Sequence, residues 1–480
     1  MLLMGCGGEA GSPSSSAATG GSAASNVGGA DSGGSVARAG GSAAGTSTVD
    51  GDPEPALSEA DLALLRALAP QSLPAARADV SNKWADDEQA AIFGQRLFFD
   101  ARFAGALLDG DNDGSVNALG RKGETGKVAC SGCHVPERGF SDTRTIRQQV
   151  SLGSGWGLRR APSLLDVGQS PVLMWDGRHD SLMSQVFGPL ESEVEMNSSR
   201  LFAAQQIFAN HQREYEAIFG ALPPLSDASR FPPLSAAQTG CSRLDKDSHC
   251  VDAKRGSPGD GAEFDGMATG DQDSVTRVWV NAGKAMGAYQ RRLTCGASRF
   301  DDFMQGDQAA LSRAEQRGAA LFVGKAKCID CHSGPYLSDE KFHNVGLQPQ
   351  VVSTVFIDAN DPGASVGLSL AQTDPLSVAG PYSDGDDGRM PEQLGPELLG
   401  AFRTPRLRCV AGRPSFMHTA QLLGLEQVVE FFDRGGDSFG FPGKSELQPL
   451  NLTARERADL VAFLGSLTGP GPEPSLLGPP

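Results

Sequence analysis

The sequence of 480 residues lacks a long apolar run and is poor in basic residues. No stretch of about 18 consecutive apolar residues occurs, so no helix of this sequence is expected to span a bilayer. Only 41 Lys and Arg stand against 58 Asp and Glu, which gives a formal net charge of −17. Because phosphate binding needs clustered Lys and Arg, this deficit argues against a nucleic acid partner. Strand signals are few and short, so the fold is expected to be mainly α-helical with long loops.

The N-terminal segment also lacks large apolar residues. From Gly7 to about Asp52 it consists mostly of Gly, Ser and Ala, a composition that cannot offset the entropy of ordering and predicts a disordered leash. Cys6 ends Leu3-Met-Gly-Cys6, which resembles the lipobox of bacterial lipoproteins. We therefore expect acylation of Cys6 and a lipid anchor. A disordered N-terminus without an anchor is the alternative.

Helical periodicity and cap residues divide the rest of the chain. Helices are predicted at Glu59–Leu68, Asp86–Phe98, Ser199–Phe219, Val275–Leu293, Ser312–Phe322 and Leu425–Phe432, and from the capping box Thr453-Ala-Arg-Glu456 through Leu467. A polar stretch at 256–273 is taken as a domain boundary. The predicted organisation is a signal or lipobox remnant and linker at 1–54, a first domain at 55–272, a second at 273–470 and a Pro-rich tail at 471–480.

Two Cys-x-x-Cys-His motifs carry the clearest chemistry. They consist of Cys130, Cys133 and His134, and of Cys328, Cys331 and His332. In such a motif the two thiols add to the haem vinyl groups and the adjacent His binds the iron. A zinc or redox Cys-x-x-Cys is the alternative, but two copies with similar flanks favour two covalently bound haem c groups. The chain is thus expected to hold two cytochrome c-like haem domains packed together.

The other cysteines predict disulfides. Cys241, Cys250, Cys295 and Cys409 form an even remainder, which fits two disulfides in an oxidising compartment. The predicted pairs are Cys241 with Cys250 and Cys295 with Cys409.

An ordered series of further motifs resembles the bacterial dihaem cytochrome c peroxidase and MauG family. The series consists of Leu97-Phe-Phe-Asp-Ala-Arg102, the first haem motif, Arg160-Ala-Pro-Ser-Leu164, Trp175-Asp-Gly-Arg178, Glu195-Met196 and Phe402-Arg-Thr-Pro405. The resemblance implies that the N-terminal haem reduces hydrogen peroxide while the C-terminal haem relays electrons from a donor protein. A small cytochrome or a copper protein is a candidate donor. In this family a Trp lies between the haems, and the matching residue is Trp175, for which a buried structural aromatic is the alternative.

The resemblance also implies an acid–base residue. Peroxide cleavage needs a group that takes a proton from the near oxygen and returns it to the far one. Glu195 occupies the family's Glu-Met position and is the candidate. Where family peroxidases often carry a distal His, this chain has Gly153-Ser154-Gly155-Trp156, and a serine is no useful iron ligand. The first haem is therefore expected to be open on one side.

The second haem departs from the family pattern. The position where the family has a Met or Tyr ligand falls on Phe432, which cannot bind iron. Met417 is the candidate sixth ligand, with Met390 as the other available thioether and a five-coordinate haem as the alternative. The family's calcium site between the haems is also altered, because its Asn position reads Arg160 and its Thr position falls near Arg413. Two guanidinium groups can stand in for the cation there.

Taken together, these residues predict a peroxide-dependent dihaem oxidoreductase in the periplasm or on the outer cell surface. Three alternatives remain open. One is a MauG-like oxidase that modifies residues of a partner protein. Another is a non-enzymatic electron-transfer cytochrome, which would need both haems to be six-coordinate. The third is an oxygen-cleaving haem dioxygenase of the rubber oxygenase type, which shares the family ancestry and an open haem.

Overall fold

The computed structural model describes residues 57–116, 118–144, 150–244, 250–253, 263–349 and 360–480. Cys6 and the predicted leash lie outside these residues. The α-helices are α1 Glu59–Leu68, α2 Glu88–Phe98, α3 Cys130–Cys133, α4 Leu182–Gln185, α5 Phe187–Glu191, α6 Arg200–Phe219, α7 Thr269–Gln290, α8 Arg299–Met304, α9 Arg313–Val323, α10 Ala364–Thr373, α11 Leu425–Asp433 and α12 Ala454–Ser466. The prediction of a helix-rich chain is confirmed. None of the described helices is long and apolar enough to cross a membrane.

Capping side chains explain where several helices begin. Ser58 accepts from the N–H of Asp61 at the start of α1, and Thr453 accepts from the N–H of Glu456 at the start of α12. In both cases the acidic side chain also accepts from the backbone of the cap residue, which completes a capping box. The predicted box at Thr453 is confirmed.

A first apolar core forms where α2, α6 and α7 pack together. It includes Phe93, Leu201 and Trp279. The close crossing of α2 and α7 depends on Gly94, since a Cβ atom there would lie 2.0 Å from the carbonyl oxygen of Ala285. This core lies beside the first Cys-x-x-Cys-His motif, because Cys130 packs against it.

A second apolar core forms between α1, α9, α11 and α12. It includes Leu65, Phe322 and Phe463, and Cys328 of the second motif packs against it. Helix α1 therefore joins the second core although it precedes the first motif in the chain, while α7 belongs to the first core. Residues Pro55–Pro480 form one compact unit, and the predicted division at 272/273 stays a prediction.

Strands are short and few in the described part of the chain. β1 Cys241–Leu244 pairs antiparallel with β2 Cys250–Ala253, and β3 Phe342–His343 pairs antiparallel with β4 Phe402–Arg403. The predicted disulfide between Cys295 and Cys409 is confirmed and closes a sequence separation of 114 residues. Cys241 is also disulfide-bonded, and its pairing with Cys250 stays a prediction.

Candidate active site

The first Cys-x-x-Cys-His motif forms a short helical turn. α3 holds both cysteines, and the backbone N–H of His134 donates to the carbonyl of Cys130 at 2.9 Å. The ring Nδ1 of His134 donates to the carbonyl oxygen of Phe140 at 3.1 Å. Phe140 has a left-handed backbone conformation with a φ of 53°. Because Nδ1 is engaged, Nε2 is the ring nitrogen that remains available to a metal.

The second motif repeats this local geometry. The N–H of His332 donates to the carbonyl of Cys328 at 2.8 Å, and its Nδ1 donates to the carbonyl oxygen of Leu337 at 2.9 Å. Leu337 also has a left-handed φ, of 51°. Burial lowers the pKa of His134 and lowers that of His332 to about 4. Both rings are therefore neutral at physiological pH, which is the state in which imidazole binds a metal.

The four motif cysteines take part in no disulfide. Burial raises the pKa of Cys130, Cys133 and Cys328 to about 12, so these thiols stay protonated. Among the described residues, no three His, Cys, Asp or Glu side chains converge as a metal-ion site. Thiols and a neutral imidazole in this arrangement fit covalent haem attachment.

A cavity of about 410 Å³ opens beside the first motif. Its walls include Cys130, Cys133 and His134, and also Trp175 and Glu195. These residues come from three separate segments of the chain. The structure thus brings the first predicted haem-attachment site together with Trp175 and Glu195, the two residues for which the sequence predicts a catalytic role.

Glu195 is held by a network of backbone hydrogen bonds. Its N–H donates to the carbonyl of Ser192 at 3.2 Å, and its carbonyl accepts from the N–H of Ser154 at 2.7 Å. Burial raises the pKa of Glu195 above its usual range, and the positive charge of Arg178 offsets part of this rise. A carboxyl group whose pKa is raised in this way is suited to exchange protons near neutral pH.

The loop that replaces the family's distal His supports the Glu195 segment. Ser154 is fully buried, and its hydroxyl donates to the carbonyl oxygen of Glu193. Gly153 is required at its position, because a Cβ there would lie 2.6 Å from the carbonyl oxygen of Val194. Ser154 therefore serves the backbone of this segment, and it is not among the residues that line the cavity.

Trp175 lies in the cavity wall and is hydrogen-bonded to β4. Its indole Nε1 donates to the carbonyl oxygen of Arg160 at 2.7 Å, and its carbonyl accepts from the N–H of Arg403 at 2.8 Å. The ring of His418 lies edge-on to the indole, 6.4 Å between centroids, and stacks on Phe402 at 3.6 Å. Trp175 is thus both a cavity residue and the first of a row of rings that leads away from it.

Comparison with known proteins agrees with this site. Residues 88–309 match the family model for di-haem cytochrome c peroxidases. A cytochrome-c peroxidase of Denitromonas iodatirespirans, IdrP1, is 29% identical over 403 residues, which cover 82% of this chain and 85% of the relative. The chain is similar to di-haem cytochrome c peroxidases and to MauG proteins. This likeness indicates a peroxide-dependent oxidoreductase, and two haem c groups are the cofactors that it implies.

Two further likenesses extend over most of the chain. The methylamine utilization protein MauG of Methylorubrum extorquens is 28% identical over 431 residues, 89% of this chain and 89% of the relative. A crystal structure of a MauG-like protein associated with microbial copper homeostasis has a TM-score of 0.52 and 25% identity, and it covers 86% of this chain and 96% of that chain. The family model ends at residue 309, before the second haem motif, whereas the alignment with MauG is long enough to span both motifs.

The two thioether candidates for the second haem belong to different apolar clusters. Met417 packs against the second core, as do Cys328 and Ile329. Met390 packs against a separate cluster with Ala364 and Leu368, and Phe432 contacts Phe431 on α11. Of the two candidates, Met417 is the one that shares a core with Cys328.

Sequence reasoning missed several polar residues of the cavity, and Gln185 and Arg178 are two examples. Gln185, the last residue of α4, lines the cavity, and so does Arg178, which forms an ion pair with Asp176 at 3.1 Å. In the sequence, Arg178 is recognisable only as the last residue of the Trp-Asp-Gly-Arg motif. Gln185 carries no local signal, because nothing in its neighbourhood distinguishes it from an ordinary helix-ending residue.

Proposed function

We propose that this protein reduces hydrogen peroxide to water at a haem carried by Cys130, Cys133 and His134, with electrons relayed from a donor protein through a second haem on Cys328, Cys331 and His332. The observation that carries the proposal is the cavity that holds the first motif, Glu195 and Trp175 together. A carrier of electrons alone has no use for a cavity with a buried carboxyl group beside an open haem face.

The residues fit a covalent haem at each motif. Each motif has two cysteines outside any disulfide and a histidine whose Nδ1 is engaged by a backbone carbonyl, and the first motif also has apolar walls beside it. Haem iron supplies the redox chemistry that cleaves the oxygen–oxygen bond of peroxide. What the chain must add is a proton path, a route for electrons and the exclusion of competing ligands.

Glu195 supplies the proton path. The overall reaction takes one peroxide, two electrons and two protons to two waters, and its first step moves a proton from one peroxide oxygen to the other. With a haem held by the first motif, the carboxylate of Glu195 would accept the proton from one peroxide oxygen and return it to the other, which would leave as water. The raised pKa of Glu195 makes both transfers accessible.

Trp175 and the second haem domain supply the electrons. Trp175 lines the cavity and lies near His418, one residue after Met417. We assign the peroxidatic role to the domain at 55–272 and the electron-transfer role to the domain at 273–470, with Met417 as the sixth ligand of the second haem. The donor is a protein, a small cytochrome or a copper protein.

A MauG-like oxidation of a partner protein is the second candidate. It is favoured by the 28% identity to a MauG that extends over 89% of both chains. The same Glu195 and Trp175 would serve it, but the electrons would come from side chains of the partner.

We place the protein in the periplasm or on the outer cell surface. The Cys295–Cys409 disulfide supports an oxidising compartment. The lipid anchor at Cys6 is proposed on its lipobox alone.

A single-turnover titration tests the proposed activity. The fully reduced protein stores two electrons, one on each haem, so one equivalent of hydrogen peroxide should reoxidise both haems when followed by absorption without oxygen. An electron carrier with closed haems would be oxidised slowly and without this stoichiometry. Failure of the reduced protein to react with peroxide would remove the peroxidase proposal.

A further inference from the structure

Two arginines near the haem motifs have buried guanidinium atoms without an acidic partner. Arg160 is 3% exposed, its Nε atom has no hydrogen-bond partner, and its NH2 group donates to the hydroxyl of Ser141. The Nε atom of Arg413 also has no partner, and its NH2 group donates to the carbonyl oxygens of Arg406 and Arg408 at 2.9 and 3.3 Å. In the described part of the chain, neither guanidinium forms an ion pair with a carboxylate.

Neighbouring arginines, in contrast, form ion pairs with acidic side chains. Arg406 lies 2.7 Å from Glu340, and Arg408 lies 2.7 Å from Asp301. Two other acids act on the pair: Asp142 near Arg160, which forms an ion pair with Arg144 at 3.3 Å, and Asp166 near Arg413. One oxygen of Asp166 accepts from the N–H of Cys295 and the other has no hydrogen-bond partner. Burial raises the pKa of Asp166 to about 6, so this acid is itself poorly compensated.

A buried guanidinium without a counter-ion is strongly unfavourable, so Arg160 and Arg413 require an anion. A guanidinium has a planar fork of N–H donors that matches a carboxylate in particular. The missing partner is therefore expected to be a carboxylate that the polypeptide does not provide.

The positions of the two arginines indicate which carboxylate this is. Arg160 lines the cavity beside His134, and its N–H donates to the carbonyl of His418 at 2.7 Å. Burial and then the charge of Arg413 lower the pKa of Arg160 to about 9, so the two groups lie within each other's field. Arg413 donates to the carbonyl oxygen of Arg408, and the guanidinium of Arg408 donates at 2.6 Å to the carbonyl oxygen of Pro335, three residues after His332. Arg160 is thus on the side of the first motif and Arg413 on the side of the second.

We propose that Arg160 and Arg413 form one anion site that binds haem propionate carboxylates in place of a calcium ion, Arg160 at the first haem and Arg413 at the second. This inference rests on the proposed function because it requires both haems to be bound. The two positive charges favour the reduced state of each iron, which carries one positive charge less, and so raise both reduction potentials.

The test compares the reduction potentials of the two haems in Arg160→Gln, Arg413→Gln and the parent by spectroelectrochemical titration. Arg160→Gln should lower the equilibrium constant for reduction of the first haem about tenfold, which is about 59 mV for a one-electron couple, and shift the second haem less. Arg413→Gln should show the reverse order. Arg160→Lys and Arg413→Lys keep the charge and should retain potentials near the parent's.

Arg138→Gln is the matched control, since Arg138 lies four residues after His134 and is exposed. The inference is overturned if the Gln variants bind two haems and their potentials equal those of this control. It is also overturned if the purified parent contains one calcium per chain or if a chelator shifts its potentials. If a Gln variant fails to fold, the calcium content of the parent and the effect of a chelator on its potentials still test the inference. A parent that binds fewer than two haems contradicts the proposed function instead, and the haem assay on the same samples separates the two failures.

Discussion

Three acids lie close together in the chain before Met196, and only one of them lines the cavity. Glu191 is bound to Arg200, with distances of 2.6 and 2.9 Å. Glu193 contributes its backbone carbonyl to Ser154. Glu195 lines the cavity, and its pKa is raised by burial. At the residue scale, the assignment of acid–base chemistry therefore depends on which side chain faces the open space.

Replacing Glu195 by Gln should slow the reaction with peroxide. The amide keeps the shape of the side chain but cannot accept a proton, and general acid–base catalysis contributes about a hundredfold to ten-thousandfold in rate. We expect a decrease of that size in the second-order rate constant measured by stopped-flow absorption, with unchanged haem content.

Glu193→Gln and Ser154→Ala are the matched controls for this experiment. Glu193 is two residues away and does not line the cavity, so its variant should react like the parent. Ser154→Ala should change the rate little, since its hydroxyl only supports the backbone. If Glu195→Gln reacts as fast as these controls, the carboxylate is structural.

The pH profile of the reaction should show the titration of the same group. Glu195 acts as a base only when it is deprotonated, and its pKa in the folded protein is raised above the usual value of 4.5. The rate constant should thus fall as the pH drops through an inflection above pH 4.5, and this acid limb should be absent in Glu195→Gln. An inflection at or below pH 4.5 would contradict the buried environment of the carboxyl group.

Haem-attachment residues could be predicted from the sequence because each motif is local. Cys130, Cys133 and His134 lie within five residues of one another in the chain, so one short sequence motif identifies all three. Gln185 could not be predicted, because the cavity wall that it shares with Glu195 is assembled by the packing of distant segments. The lack of a hydrogen-bond partner for the Nε atom of Arg160 is likewise visible only once the side chains around it are placed.

At the scale of elements, local signals predicted the long helices and missed their partners. The predicted Glu59–Leu68 helix has the bounds of α1, because a capping box fixes its start. Its packing against α9 in the second core could not be predicted, since amphipathic periodicity identifies an apolar face without the surface that covers it. Gly94 lowers the helix propensity of α2, yet its missing side chain allows the backbone of α7 to approach.

The Cys295–Cys409 disulfide should stabilise the arrangement of these elements. It joins the segment after α7 to the segment after β4, across 114 residues. Replacing both cysteines by Ala should lower the free energy of unfolding by about 2–5 kcal/mol, because the open chain gains entropy. Urea unfolding followed by circular dichroism measures this change, and the haem content should stay at two. An unchanged unfolding midpoint would show that the bond contributes nothing to stability.

At the scale of the whole molecule, each haem motif lies beside its own apolar core. Cys130 packs against the core of α2, α6 and α7, whereas Cys328 packs against the core of α1, α9, α11 and α12. Because neither motif shares its core with the other, loss of one haem need not remove the fold around the other. This separation makes the two haem sites independently testable.

The complete protein should bind two haems, one for each motif. A pyridine haemochrome assay should return two haems per chain for the parent and one for a variant with Cys328→Ala and Cys331→Ala. The matched variant with Cys130→Ala and Cys133→Ala should also retain one haem, but only this variant should lose its rapid reaction with peroxide, because Glu195 and the cavity belong to the first motif. One haem in the parent would contradict the duplicated site, and rapid peroxide reaction without the first haem would move the peroxidatic role to the second domain.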